Sequence, residues 1–207
     1  MHVRLKSLLG LGLLLSSALT VAQAAGDVVR GKEIAYTCHG CHGIPNYKNV
    51  APVYSVPKLG GQQAAYMVAA LKSYASGDRA HATMHAHAVS NSEQDREDMA
   101  AFFAGSGPRK TAIVGAPPAA AAVCTACHGT DGQPVLPEYP NLAGQKADYL
   151  VQSLQDYRSG KRKNAIMAGI VASLKDADIA VISAFYANQT GLCDTKQILD
   201  NKGQCKK

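Results

Sequence analysis

Cys38-His39-Gly40-Cys41-His42 and Cys124-Thr125-Ala126-Cys127-His128 are two copies of the pentapeptide Cys-x-x-Cys-His. On a turn of helix, residues at i, i+3 and i+4 share a face, so both cysteines and the histidine project together. Two thiols so placed can each form a thioether with a haem vinyl group while the histidine ligates the iron, and the pattern is the attachment signature of c-type haem. A redox dithiol or half of a zinc site also uses Cys-x-x-Cys. A dithiol has no need of the following histidine, and a zinc site must explain why that histidine recurs. The expectation is two covalently bound haem c groups, on Cys38 and Cys41 and on Cys124 and Cys127, with His42 and His128 as iron ligands.

The duplication extends beyond the motifs. Pro57-Lys58-Leu59-Gly60-Gly61-Gln62 recurs 83 positions later as Pro140-Asn141-Leu142-Ala143-Gly144-Gln145. Tyr66, Val68, Leu71, Tyr74, Gly77 and Arg79 recur at the same offset as Tyr149, Val151, Leu154, Tyr157, Gly160 and Arg162. An offset held through two unrelated patterns is an internal repeat, here of a whole domain. The pentapeptides are 86 apart, so the first copy carries three extra residues, expected in a loop around 46–56. Each copy is small enough to need a staple besides its own core, and a bonded porphyrin plate would supply one. The absence of Trp and the presence of only three Phe fit a core filled partly by porphyrin.

Both copies read as all-α. Helical spacing predicts helices over 28–41, 62–76 and 91–104 in the first copy and over 118–127, 145–159 and 175–188 in the second. Ser92-Glu93-Gln94-Asp95 resembles a capping box. No run alternates as a strand. The expected organisation is a signal peptide over 1–24, a first haem domain over 25–107, a linker over 108–116, a second haem domain over 117–190 and a tail over 191–207.

A second axial ligand is chosen by the repeat. A thioether is soft and neutral, which raises the potential of a haem and suits electron transfer. Met84 and Met167 match at the offset of 83, whereas Met67 and Met99 face Leu150 and Ile182, which cannot bind iron. Met84 and Met167 are therefore the expected ligands, and Met67 and Met99 core residues. His81, His85 and His87 compete with Met84, but their counterparts are Asn164, Ala168 and Ile170; they read as partly exposed histidines near a haem edge. Arg79 and Arg162 are candidates for pairing with haem propionates, against the alternative of a solvated charge at a helix end. Tyr66, Tyr74, Tyr149 and Tyr157 are expected to pack in the pockets first and to bond propionates second. Pro52 and Pro137 lie in loops that could hold the proximal histidines.

Arg4 and Lys6, the apolar run 8–15 and the small residues Ala22-Gln23-Ala24 read as a secretory signal peptide. An uncleaved anchor is the alternative, although Ser16, Ser17, Thr20 and Gln23 interrupt the apolar stretch. Export makes an oxidised pair of the two remaining cysteines, Cys193 and Cys205, the expectation. Such a bond would pin a polar tail with little core of its own. Removing Arg4 and Lys6 lowers the formal charge from +6 to +4, and four haem propionates would cancel most of the remainder. The basic pI is thus weak ground for a nucleic-acid partner, and none is expected. Lys161-Arg162-Lys163 is a local cluster suited to steering an acidic redox partner.

Tandem Cys-x-x-Cys-His motifs, each followed by Pro-x-Leu-x-Gly-Gln, by Gly-x-Arg and by a methionine before a final helix, resemble the cytochrome c4 family of dihaem class I cytochromes c. The resemblance covers the chain from about residue 25 to 188. It implies two all-helical domains related by pseudo-twofold symmetry, propionate edges near the interface, and His42 with Met84 and His128 with Met167 as ligand pairs. It also implies a periplasmic electron carrier, often membrane-associated, between a quinol-oxidising complex or dehydrogenase and a terminal oxidase. The histidines around Met84, the short approach to Cys124 and the extra tail depart from the pattern. The rival function is the haem subunit of a flavin or quinoprotein dehydrogenase, or a dihaem redox enzyme, which would need an open or labile axial position. A haem sensor is a more distant third.

Overall fold

The computed structural model describes residues 26–105, 107–200 and 204–205. The expected signal peptide lies outside them. Asp27 opens the first helix, its carboxylate accepting from the backbone N–H groups of Val29 and Arg30. Such a cap satisfies donors that have no partner within a helix. Helix α1 (Val28–Ile34) continues without a break through a 3-10 turn (Ala35–Cys38) into α2 (His39–His42). The expected single helix over 28–41 is thus helical throughout but tightened in its middle. Gly31 lets α1 lie directly on the last helix of this copy: a Cβ there would stand 2.0 Å from the carbonyl oxygen of Asp98. Arg30 then pairs with Asp95 and Asp98 on that helix.

Three helices complete the first copy: α3 (Ala64–Ser76), α4 (Ala82–Val89) and α5 (Glu93–Ala104). Helix α3 ends at Gly77 with φ +81°, a left-handed conformation that glycine adopts without strain and that turns the chain toward Arg79. Helix α5 begins at the expected capping box, Ser92 and Asp95 each accepting from the other's backbone N–H. The second copy repeats this as a 3-10 turn (Ala119–Ala121), α6 (Ala122–His128), α7 (Ala147–Arg158), α8 (Ala165–Val171) and α9 (Asp176–Ala187). Among the described residues, β structure is limited to isolated bridges.

Each copy has its own core. Met67 and Met99 are buried with Ala35, Phe102 and Phe103 in the first, while Leu150 and Ile182 are buried with Ala121 and Tyr186 in the second. The methionines that the repeat set aside as core residues do pack there. Between the copies, Arg79 and Arg162 form an antiparallel bridge, flanked by bonds from Ala80 N–H to Lys161 O (2.8 Å) and from Lys163 N–H to Asp78 O (2.7 Å). The loop around 46–56 also reaches across: the N–H and Oγ of Ser55 donate to Asp148 on α7 at 3.0 and 2.9 Å.

The tail departs from expectation. Cys193 N–H donates to Gly60 O of the first copy at 3.0 Å, and α10 (Thr195–Asp200) follows. Cys193 and Ile198 are buried in the first copy's core, each 1% exposed, so the segment after the second copy completes the first. The polarity of the tail concealed its apolar anchor, Ile198. Cys193 is bonded to Cys205.

Candidate haem sites and the interdomain centre

The junction of the 3-10 turn with α2 and the end of α6 carry the two pentapeptides, and helical geometry presents their cysteines and histidines together. None of the four cysteines is in a disulfide. Burial pushes the thiols of Cys38 and Cys124 up, the reverse of the depressed value that makes a redox dithiol reactive. Among the described residues no group of three or more His, Cys, Asp or Glu is arranged to hold a metal ion, which leaves the zinc alternative without a donor set.

His42 directs Nδ1 at Pro57 O (2.8 Å), and His128 directs Nδ1 at Pro140 O (3.2 Å). Burial is the main force lowering both imidazoles, His42 to about 4. Each ring is therefore neutral near pH 7, carries its proton on Nδ1 and keeps the Nε2 lone pair for a metal. The carbonyls are not those of Pro52 or Pro137. Pro57 and Pro140 are repeat partners at the offset of 83, and that equality was the signal that loop position hid.

The methionines open short helices that periodicity missed. His81 caps α4, its Nδ1 accepting from Met84 N–H at 3.3 Å, and Asn164 caps α8 by accepting from Met167 N–H at 3.0 Å. Asparagine is a strong helix opener, so its place opposite His81 was the available sign of a cap. Since His81 Nδ1 accepts, its Nε2–H is left to donate to Asn49 Oδ1 at 3.1 Å. His85 faces the carbonyl of Tyr74 at 2.8 Å.

One continuous cavity of about 1480 Å³ reaches Cys38, Cys41, His42 and Met84 in the first copy and Cys124, Cys127, His128 and Met167 in the second. Each quartet puts a neutral imidazole, a thioether and two thiols around the same space, which is the donor set of a c-type haem.

At the centre of this space lie Arg79 and Arg162, 8% and 9% exposed, so the alternative of solvated helix-end charges does not hold. Each guanidinium stacks on a tyrosine of its own copy, Arg79 over Tyr74 at 4.4 Å and Arg162 over Tyr157 at 4.5 Å. Each also donates across the interface, Arg79 to Tyr149 Oη (2.5 Å) and Arg162 to Tyr66 Oη (2.7 Å). The tyrosines thus hold the arginines as well as pack. No ion pair among the described residues includes either guanidinium. Burial pushes the phenol of Tyr149 up, but Arg79 and then Arg162 outweigh it and draw the phenol down, a sign of how positive the centre is. Two buried cations without an anion would cost several kcal/mol each, roughly, so the protein is built for anions here. The carboxylates of a bound haem would meet that demand.

Two tandem helical domains, each offering two thiols, an imidazole and a thioether to one cavity, define a dihaem class I cytochrome c. The family model described as Cytochrome c matches residues 28–106 and 116–189. The chain is 33% identical over 205 residues to cytochrome c4 of Azotobacter vinelandii, covering 84% of this chain and 94% of that one, and it belongs to the cytochrome c4 family within the cytochromes c. The crystal structure of reduced recombinant cytochrome c4 from Pseudomonas stutzeri superposes with a TM-score of 0.63 at 29% identity, covering 80% of this chain and all of that one. A thiosulfate dehydrogenase electron acceptor of Stutzerimonas stutzeri is 30% identical over 173 residues, 74% of this chain and 79% of its own. The protein carries two covalently bound haem c groups and is an electron carrier.

Proposed function

We propose that His42 with Met84 and His128 with Met167 are the axial pairs, that Cys38, Cys41, Cys124 and Cys127 hold the haems, and that Arg79 and Arg162 receive their propionates. Bound haem supplies reversible one-electron chemistry at iron. In that arrangement the chain's own imidazole and thioether side chains would hold each iron and leave no open position for a substrate. The protein is therefore a carrier without catalysis of its own. The observation that supports this reading best is the single cavity that joins the two donor sets.

The setting is the periplasm: residues 1–24 read as an export signal, and among the described residues no helix is long and apolar enough to cross a membrane. Donors are a quinol-oxidising complex or a dehydrogenase, and the acceptor is a terminal oxidase, approached by peripheral association with the membrane. No nucleic acid takes part. The similarity to a thiosulfate dehydrogenase electron acceptor supports a second reading, in which the donor is a periplasmic dehydrogenase. Mixing the reduced holoprotein with oxidase-containing membranes under oxygen tests the first reading. Rapid, inhibitor-sensitive reoxidation supports it; slow reoxidation, with fast reduction by a substrate-fed dehydrogenase, favours the second.

A further inference from the structure

Gln62 and Gln145, which close the two Pro-x-Leu-x-Gly-Gln segments, are 5% and 4% exposed, and each points into the other domain. Gln62 accepts from Asn141 N–H at Oε1 (2.8 Å) and donates from Nε2 to Asn141 O (3.0 Å). Gln145 does the same to Lys58, accepting from its N–H at 2.9 Å and donating to its carbonyl at 3.1 Å. An amide that meets an N–H at one end and a C=O at the other fits only one way round.

Asn141 N–H and Pro140 C=O belong to a single planar peptide unit, and so do Lys58 N–H and Pro57 C=O. These are the carbonyls that accept from His128 and His42. An acceptor on the N–H end of a peptide makes its C=O end a better acceptor, since hydrogen bonds in a chain polarise one another. A better acceptor on Nδ1–H makes the imidazole a stronger donor to its metal and fixes its orientation. A continuous relay thus runs from Gln62 through one peptide to His128, and its counterpart from Gln145 to His42.

We propose that each glutamine is a positioning residue for the haem of the opposite domain. Gln62 tunes the His128 haem and Gln145 the His42 haem, so each potential is set partly across the interface. This rests on the axial assignments proposed above. A purely local role makes a different prediction, because Gln62 Oε1 also accepts from Gln63 N–H (2.9 Å) and Gln145 Oε1 from Lys146 N–H (3.0 Å) at the starts of α3 and α7.

The test is redox titration of the full-length holoprotein carrying Gln62→Leu or Gln145→Leu, with the haems distinguished by NMR signals assigned through contacts to each domain. Losing the relay weakens the imidazole donor and favours ferrous iron, so Gln62→Leu raises the potential at Cys124/Cys127 and leaves that at Cys38/Cys41 unchanged. Gln145→Leu does the reverse. No shift, an equal shift of both haems, or a shift confined to the glutamine's own domain overturns the proposal. If a variant does not fold, the unaltered, fully reduced protein decides: scalar coupling across the hydrogen bond from Asn141 N to the Gln62 side-chain carbonyl carbon, and from Lys58 N to that of Gln145, is expected, and its absence overturns the relay. A haem that lacks histidine ligation in the unaltered protein contradicts the axial assignments instead, whatever the glutamines do.

Discussion

Arg79 and Arg162 meet as an isolated antiparallel bridge where the two domains join, both guanidiniums buried and neither in an ion pair among the described residues. Like charges are brought together out of water only where something negative shares the space. Each arginine is held by a tyrosine of the opposite domain, so the anion-binding centre is assembled from both copies at once. With haem propionates on these arginines, as proposed above, docking of the domains and seating of the haems would be coupled.

Arg79→Gln removes a cation from that centre. Loss of positive charge disfavours the reduced haem, so the potential of the nearer haem falls, and an unpaired buried propionate destabilises the holoprotein by about 3 kcal/mol. Redox titration and thermal unfolding check this. An unchanged potential contradicts the assignment of Arg79 to a propionate.

Replacing His81 by asparagine reproduces the cap of the second domain, whereas leucine removes it. His81→Asn is expected to retain the sulfur-to-iron band of the first haem. His81→Leu weakens the start of α4 by about 1 kcal/mol and lowers the temperature at which Met84 ligation is lost. The near-infrared spectrum, followed with temperature, reads both.

Ser92 and Asp95 set an acid limit on the first domain. Hydrogen bonds from the Ser92 side chain and backbone, followed by Arg30, lower Asp95 from its ordinary 3.8 to about 2. A carboxylate held low in the folded state contributes stability above its unfolded value, and that contribution fades as pH falls from about 4 toward 2. Ser92→Ala costs about 1 kcal/mol near neutrality and less at pH 2, measurable by denaturant unfolding at both values. An equal loss at both would contradict the role of the carboxylate.

The Cys193–Cys205 bond acts on the first domain although it lies after the second. Cys205→Ser is expected to destabilise by about 3 kcal/mol in the chain-entropy account, with the change seen at amides of α3 and α5 in hydrogen exchange. Gly60→Ala should act in the same place, because its Cβ would stand 2.6 Å from Cys193 Sγ. Protection lost only in the second domain would count against this.

Legibility in the sequence followed the range of the signal. The pentapeptides, 86 apart, and the methionines proposed as ligands, 83 apart, stand out because a repeat compares each residue with its twin; the same comparison marks Met67 and Met99 as core residues. Pro57 and Pro140 share the repeat's offset of 83, whereas Pro52 and Pro137 lie in loops of unequal length that the repeat does not align. Helices α4 and α8 span eight and seven residues, too short for periodicity, and one is opened by a histidine. The crossing of Gln62, Gln145, Tyr66 and Tyr149 between domains and the docking of Ile198 on the first core depend on how the copies face each other. No local pattern encodes that.

A redox-titrated absorption spectrum of the purified holoprotein, with haem quantified per chain, tests the account most directly. Two low-spin haems per chain, both showing the near-infrared sulfur-to-iron band when oxidised, are predicted by the pairing of His42 with Met84 and His128 with Met167. A single haem, or one that is high-spin or bound by two histidines, would contradict it.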